Sequence, residues 1–213
     1  MHTIFRSDSW LMQVLTRFSS LVVLNVLFLC TSIPIFTIGA ALTAMYDVVF
    51  RMDTEGENKL AVAYFRAFIG NFKESTLIWL LFLLLMGTGC ANAVIFSQWG
   101  NIIGTVLSVI VLVILCNALL ILGYVFPLLS QFHNTKIHTL KNSLLLSIAN
   151  LPRTLVIAVI NCFPWALLMM NLYAFIQLSF LWLVLYFAAA AYFNSRVLGK
   201  VFGPLKEQTE HEK

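Results

Sequence analysis

Few side chains in this sequence have the type and spacing to do chemistry. The four histidines are His2, His133, His138 and His211. His133 and His138 lie five apart with no acid or cysteine beside them, which is a poor metal site, because zinc sites gather three or four His, Cys or carboxylate ligands. The four cysteines, Cys30, Cys90, Cys116 and Cys162, fall singly inside apolar runs and form no CxxC pair. Such cysteines behave as small buried hydrophobes. Gly87-Thr88-Gly89 has no preceding strand and no following Lys-Ser/Thr, so it is not a phosphate loop. There is no Gly-x-Ser-x-Gly and no HExxH, and a Ser or Cys nucleophile would need a base that the apolar stretches do not contain. Catalytic, cofactor-binding and metal-ligating residues are therefore each expected to be none, and the chain is not expected to be an enzyme.

Two sets of residues remain. Asn25, Asn92, Asn117 and Asn161 fall in four different apolar stretches. They suit a polar lining for an uncharged solute, or hydrogen bonds that hold helices together. The second set is apolar: Tyr64, Phe65, Phe68 and Phe72 in one segment and Leu140, Leu144 and Ile148 in another recur at helical spacing. Each describes the apolar face of an amphipathic helix, about 59–72 and about 134–150, suited to the inner membrane interface, to a partner protein, or to the chain's own bundle. Asp47 is the only acid inside an apolar stretch. It stands one turn before Arg51 and reads as a surface pair, which weakens a proton- or cation-coupled mechanism.

The elements that must carry these residues follow from charge. Of the 213 residues, 61% are hydrophobic and 10% charged, against roughly 45–50% and 25% for a soluble domain. No Asp, Glu, Lys or Arg occurs between Arg17 and Asp47, Glu74 and Lys136, or Arg153 and Arg196. One membrane-crossing helix needs about 20 apolar residues, so these gaps accommodate two helices each, joined by uncharged turns. Pro34 breaks the first gap, Ser97-Gln98-Trp99-Gly100-Asn101 the second, Asn171 the third. The expected fold is all-α, a polytopic transmembrane bundle forming one domain over 1–213. It has six spans (18–33, 35–50, 76–96, 102–129, 154–170 and 172–194) in three hairpins, with the amphipathic helices on the cytoplasmic side.

All thirteen Lys and Arg residues precede, separate or follow the three hairpins, and none lies in the opposite turns. The positive-inside rule then places both termini in the cytoplasm. The run from Phe18 to Ile33 is expected to stay uncleaved, since the following stretch reads as its hairpin partner. Basic residues scattered at the feet of apolar segments do not suggest nucleic acid. A helix leading into a span occurs twice, at Asn71-Phe72-Lys73-Glu74-Ser75-Thr76 and Asn150-Leu151-Pro152-Arg153-Thr154, a weak internal echo.

The stretch Ser32-Ile33-Pro34-Ile35-Phe36-Thr37-Ile38-Gly39-Ala40-Ala41-Leu42-Thr43-Ala44-Met45-Tyr46, with Leu24-Asn25 before it, Phe65-Arg66-Ala67-Phe68 and Asn71-Phe72-Lys73 after it, and Asn150-Leu151-Pro152, resembles the YesL-like bacterial membrane proteins. The resemblance runs from about Trp10 to Leu205. It implies a small, uncharacterised integral protein of the cell membrane, whose genes often lie beside carbohydrate-uptake transporters and two-component sensors in Gram-positive bacteria. It carries no catalytic residues to transfer. The expected partners are the lipid bilayer and a carbohydrate ABC transporter or sensor kinase. The expected role is accessory or regulatory, with a small permease or channel for an uncharged solute as the alternative.

Overall fold

The computed structural model describes residues 10–52, 60–132 and 136–211. Among them every regular element is helical and there is no strand. Helix α1 (Trp10–Ser32) ends at Pro34, which lacks an N–H and opens a 3-10 turn, Ile35–Thr37. The Thr37 hydroxyl sits 2.5 Å from the Thr31 carbonyl and 2.6 Å from the Pro34 carbonyl, so one side chain satisfies acceptors at the end of α1. Helix α2 (Ile38–Arg51) follows, then α3 (Leu60–Ser97) and α4 (Ile102–Gln131). Between the last two, Gly100 adopts φ 65°, and the Asn101 side chain caps α4 by accepting the Gly104 N–H at 2.8 Å.

Helix α5 (Lys136–Ala149) gives way at Asn150 to α6 (Leu151–Met170), with Pro152 in the first turn, where its missing N–H is harmless. Asn171 ends α6 and caps α7 (Leu172–Gln177) through the Ala174 N–H, 3.0 Å away. A single turn α8 (Ser179–Leu181), a π-helical turn (Trp182–Tyr186) and the long α9 (Phe187–His211) complete the described chain.

Side-chain pairings set the direction of each helix. Arg17 meets Tyr192 and Asn25 meets Leu183, so α1 and α9 are antiparallel. Tyr46 meets Asn194 and Phe50 packs on Phe202, so α2 runs parallel to α9. Thr43 meets Ser75 and Ile35 meets Trp79, so α2 and α3 are antiparallel. Ser108 bonds Ala93 while Leu115 packs on Gly89, Tyr124 bonds Thr154 while Gly123 faces Ile157, and Phe163 meets Trp182 while Arg153 shares a cleft with Lys200, so α3/α4, α4/α6 and α6/α9 are antiparallel in turn. The legs α1, α2, α3, α4, α6 and α9 therefore alternate in direction.

Five helices are long and apolar enough to cross a bilayer: Met12–Ser32, Leu60–Ser97, Ile102–Gln131, Leu151–Met170 and Ser179–Gly203. The leg α2 differs. Its 14 residues span only about 21 Å at 1.5 Å per residue, short of a hydrocarbon core of about 30 Å. It is also the most enclosed element. Gly39, Ala40, Ala41, Thr43, Ala44, Met45, Tyr46, Asp47, Val48 and Val49 are all buried, and its small residues let α3 and α4 close around it.

Three expectations change. The segment 59–72 is not a separate interfacial helix, because nothing in Asn71-Phe72-Lys73-Glu74-Ser75 breaks a helix, and α3 runs on for 38 residues. The last stretch, 172–194, is interrupted at Leu178 and by the π turn, and its helix continues to His211. The four cysteines are exposed on the bundle surface instead of buried, as suits an apolar thiol in contact with lipid. His133 lies outside the described residues.

Gly87 and Gly89 also part company. A Cβ at Gly89 would lie 2.5 Å from a Leu115 methyl, whereas nothing lies within 4 Å of one at Gly87. Only Gly89 serves close packing.

Candidate functional site

The four asparagines do not converge. Asn25 is fully buried. Its Nδ2 donates to the Leu183 carbonyl at 2.7 Å and the Trp182 carbonyl at 3.3 Å, and its Oδ1 accepts the Ala188 N–H at 3.0 Å. A π turn shifts the helical bonding register and leaves backbone groups without their usual partners. Asn25 meets those groups from the neighbouring helix, a structural duty that uses its whole amide. Asn92 and Asn117 stand exposed on α3 and α4, and Asn117 bonds the Val113 carbonyl of its own helix.

Asn161 reaches a cavity. This cavity, about 290 Å³, lies among α1, α2, α3, α4, α6 and α9, and Tyr46, Trp79, Phe126, Asn161, Trp165 and Phe187 are among the side chains that line it. Behind it Asn194, fully buried, places its Nδ2 2.9 Å from Asn161 Oδ1 and 3.2 Å from the Tyr46 hydroxyl. Its own Oδ1 has no partner. In a lipid setting an unpartnered buried acceptor is costly. The polar group at the edge of the apolar cavity is Asn161, which Asn194 holds, and it suits a water or a small uncharged molecule. Asn194 and Tyr46 escape sequence reading because their partners lie far along the chain, and only the fold joins 46, 161 and 194. Asp47 and Arg51 form the expected ion pair at 2.9 Å, but it is not a surface pair: Asp47 is buried in the enclosed face of α2 and only Arg51 is exposed.

The apolar faces divide differently. Tyr64 is turned into the bundle, with its hydroxyl 2.6 Å from that of Thr31, and Phe68 packs partly on the core. Phe72 is half-buried and meets Phe68 edge-on. Phe65 is exposed. Of this face, Tyr64 is unavailable to a partner.

In α5 the face turned toward the bundle is polar. Thr139, Ser143 and Ser147 are buried at spacing four, and the Ser147 carbonyl accepts the Thr154 hydroxyl at 2.7 Å. Small hydroxyl residues at every fourth position permit close helix approach. This stripe is a signal that a search for apolar periodicity passes over. Leu140, Leu144, Leu145 and Ile148 point outward, with Ile148 55% exposed. Leu151 and Leu155 continue the exposed apolar surface onto α6.

Residues 21–92 match the model of a family described as a protein of unknown function, DUF624. The matched segment runs from Leu21 in α1 to Asn92 in α3 and so contains the enclosed α2. No curated protein matches the chain, and no solved structure does.

Proposed function

We propose that this chain is a non-enzymatic accessory or regulatory subunit of a bacterial cell membrane, associated with a carbohydrate ABC transporter or with a sensor kinase of carbohydrate uptake. The observation that carries this reading is the outward apolar face of α5. Its hydroxyl stripe already holds it to the bundle, so Leu140, Leu144 and Ile148 remain for an external partner. The YesL-like resemblance supplies the setting, and the DUF624 match over 21–92 is consistent with it.

The reading includes six crossings in three hairpins with both termini cytoplasmic. Support comes from the alternation of the six legs and from the basic residues. With α2 as a descending leg, every Lys and Arg among the described residues falls toward one end. Arg51 can extend toward the interface from the foot of the short α2.

Mild-detergent purification of the tagged chain from its native membrane tests the association. A transporter permease or sensor kinase is expected at near-equal amounts. Leu144→Asp combined with Ile148→Asp is expected to cut that recovery roughly tenfold or more, since two central apolar contacts carry much of a small interface, while the chain itself still inserts. Recovery of the partner unchanged by the double variant would remove α5 from the interface. Recovery of the chain alone would favour the second reading, a permease for an uncharged solute, for which the cavity beside Asn161 is the supporting observation.

A further inference from the structure

The Asn161–Asn194 pair is only half made. Two facing amides can exchange two hydrogen bonds, each giving an N–H and taking an oxygen. Asn194 Nδ2 donates to Asn161 Oδ1 at 2.9 Å, but Asn194 Oδ1 has no partner, so the return bond from Asn161 Nδ2 is not formed. That amino group lies instead toward α4, where a Cβ at Gly123 would stand 4.0 Å from it. Asn161 and Gly123 both line the cavity of about 290 Å³, and glycine puts no side chain into the space before the amide. The Tyr46 hydroxyl, also in the wall, accepts from Asn194 Nδ2 at 3.2 Å and keeps its own proton to donate. Thr154, another hydroxyl of the wall, is spent on the Ser147 carbonyl at 2.7 Å. What Asn161 and Tyr46 offer to the cavity is therefore donors.

We infer that this cavity binds an apolar, ring-bearing molecule that carries a carbonyl acceptor and reaches it from the bilayer. The carbonyl takes the unspent N–H of Asn161, a donor that is costly to leave unpaired in apolar surroundings. Trp79, Phe126, Trp165 and Phe187 supply aromatic walls for the rings. An apolar cavity of about 150 Å³ holds one benzene, so this one has room for roughly twelve non-hydrogen atoms, a fused two-ring compound. The cavity meets the bundle surface at Leu119 on α4 and Trp165 on α6, which are 45% and 67% exposed, so entry is from the lipid side. A sugar would leave most of its hydroxyls unpaired against these walls and is disfavoured. The inference rests on the cavity of the second reading and narrows what it accepts. Binding is measured apart from transport, so a chain that binds yet moves nothing keeps the inference and loses that reading.

The experiment titrates the purified full chain, in a non-ionic detergent, with 1-tetralone, with tetralin (the same two rings without the carbonyl) and with glucose, and follows the thermal midpoint. Both ring compounds are expected to raise the midpoint saturably, and glucose is not. Asn161→Leu is expected to weaken the 1-tetralone titration roughly fivefold, the contribution of one hydrogen bond, and to leave that of tetralin unchanged. Comparing each ligand between the two chains cancels its partition into detergent. Equal weakening of both ring compounds, or of neither, would remove the carbonyl contact and overturn the proposal. So would a response to glucose equal to that of 1-tetralone, or no saturable response to 1-tetralone. If Asn161→Leu does not fold, Trp165→Ala decides. Its exposed side chain can be removed with little loss of packing, and it is expected to weaken both ring compounds roughly threefold or more. Unchanged titrations would again overturn the site.

Discussion

Gly39→Ala is expected to lower the stability of the bundle by about 3 kcal/mol, at the upper end of what overpacking costs, and Gly39→Val to prevent folding. A Cβ at position 39 would stand 2.6 Å from the Ser75 carbonyl oxygen, 2.6 Å from Trp79 Cβ and 3.0 Å from the Phe126 ring. The first two atoms belong to the backbone and to the root of a side chain, so no rotamer change clears them. Helix α2 would have to withdraw from α3. That movement strains the Thr43–Ser75 hydroxyl pair at 2.8 Å and the bond from the Trp79 indole to the Ile35 carbonyl at 2.7 Å. Gly87→Ala is the matched comparison. With nothing within 4 Å of a Cβ there, replacing a helical glycine by alanine is expected to be neutral or to stabilise by up to about 1 kcal/mol. Thermal midpoints of the two variants in one detergent read the difference. Equal midpoints would mean that α2 and α3 do not approach as closely as described.

Asn25→Leu carries the second large effect. The amide joins α1 to the π turn by bonds to Leu183 and Trp182 carbonyls and to the Ala188 N–H. Leucine has a similar volume, so packing is nearly preserved while two carbonyls and one N–H lose their partner. Leaving a buried polar group unsatisfied costs about 1–3 kcal/mol, and bonds between membrane helices contribute less, about 0.6 kcal/mol on average. The expected loss is about 2–3 kcal/mol. Asn117→Leu, at an exposed position bonded within its own helix, is expected to cost under about 1 kcal/mol. Unfolding in mixed micelles measures both. Equal losses would mean that Asn25 does not hold the π turn.

Much of the architecture is legible in the residues. Charge-free gaps delimit the legs, Pro34 marks the first turn, Asn101 and Asn171 cap the helices that follow them, and Asp47 pairs with Arg51 as spacing predicts. What misleads is a rule carried over from water. In a soluble helix the apolar face turns inward, and Tyr64 follows that rule because α1 and α2 are there to receive its ring. In α5 the rule reverses. Leu140, Leu144 and Ile148 are exposed on the outside, and the small hydroxyl residues Thr139, Ser143 and Ser147 are buried within. The outward cysteines obey the same reversal.

The enclosure of α2 is written in Gly39, Ala40, Ala41 and Ala44, yet small residues reveal close approach without naming the helix that approaches. The cluster of Tyr46, Asn161 and Asn194 is illegible for a simpler reason. Its members lie 33 to 148 positions apart, and nothing local marks any of them as neighbours.

The alternation of six legs is the claim on which the placement of the α5 face depends. Single cysteines introduced at Gln13, Arg66, Gln98, Lys141 and Tyr173 in a chain lacking its native cysteines, each challenged in intact cells with a membrane-impermeant thiol reagent, measure it directly. Gln98 and Tyr173 are expected to react from outside, and Gln13, Arg66 and Lys141 only after the cells are opened. If Gln13 instead reacts on the same side as Gln98, α2 does not act as a crossing leg, and the chain spans the membrane five times with its ends on opposite sides.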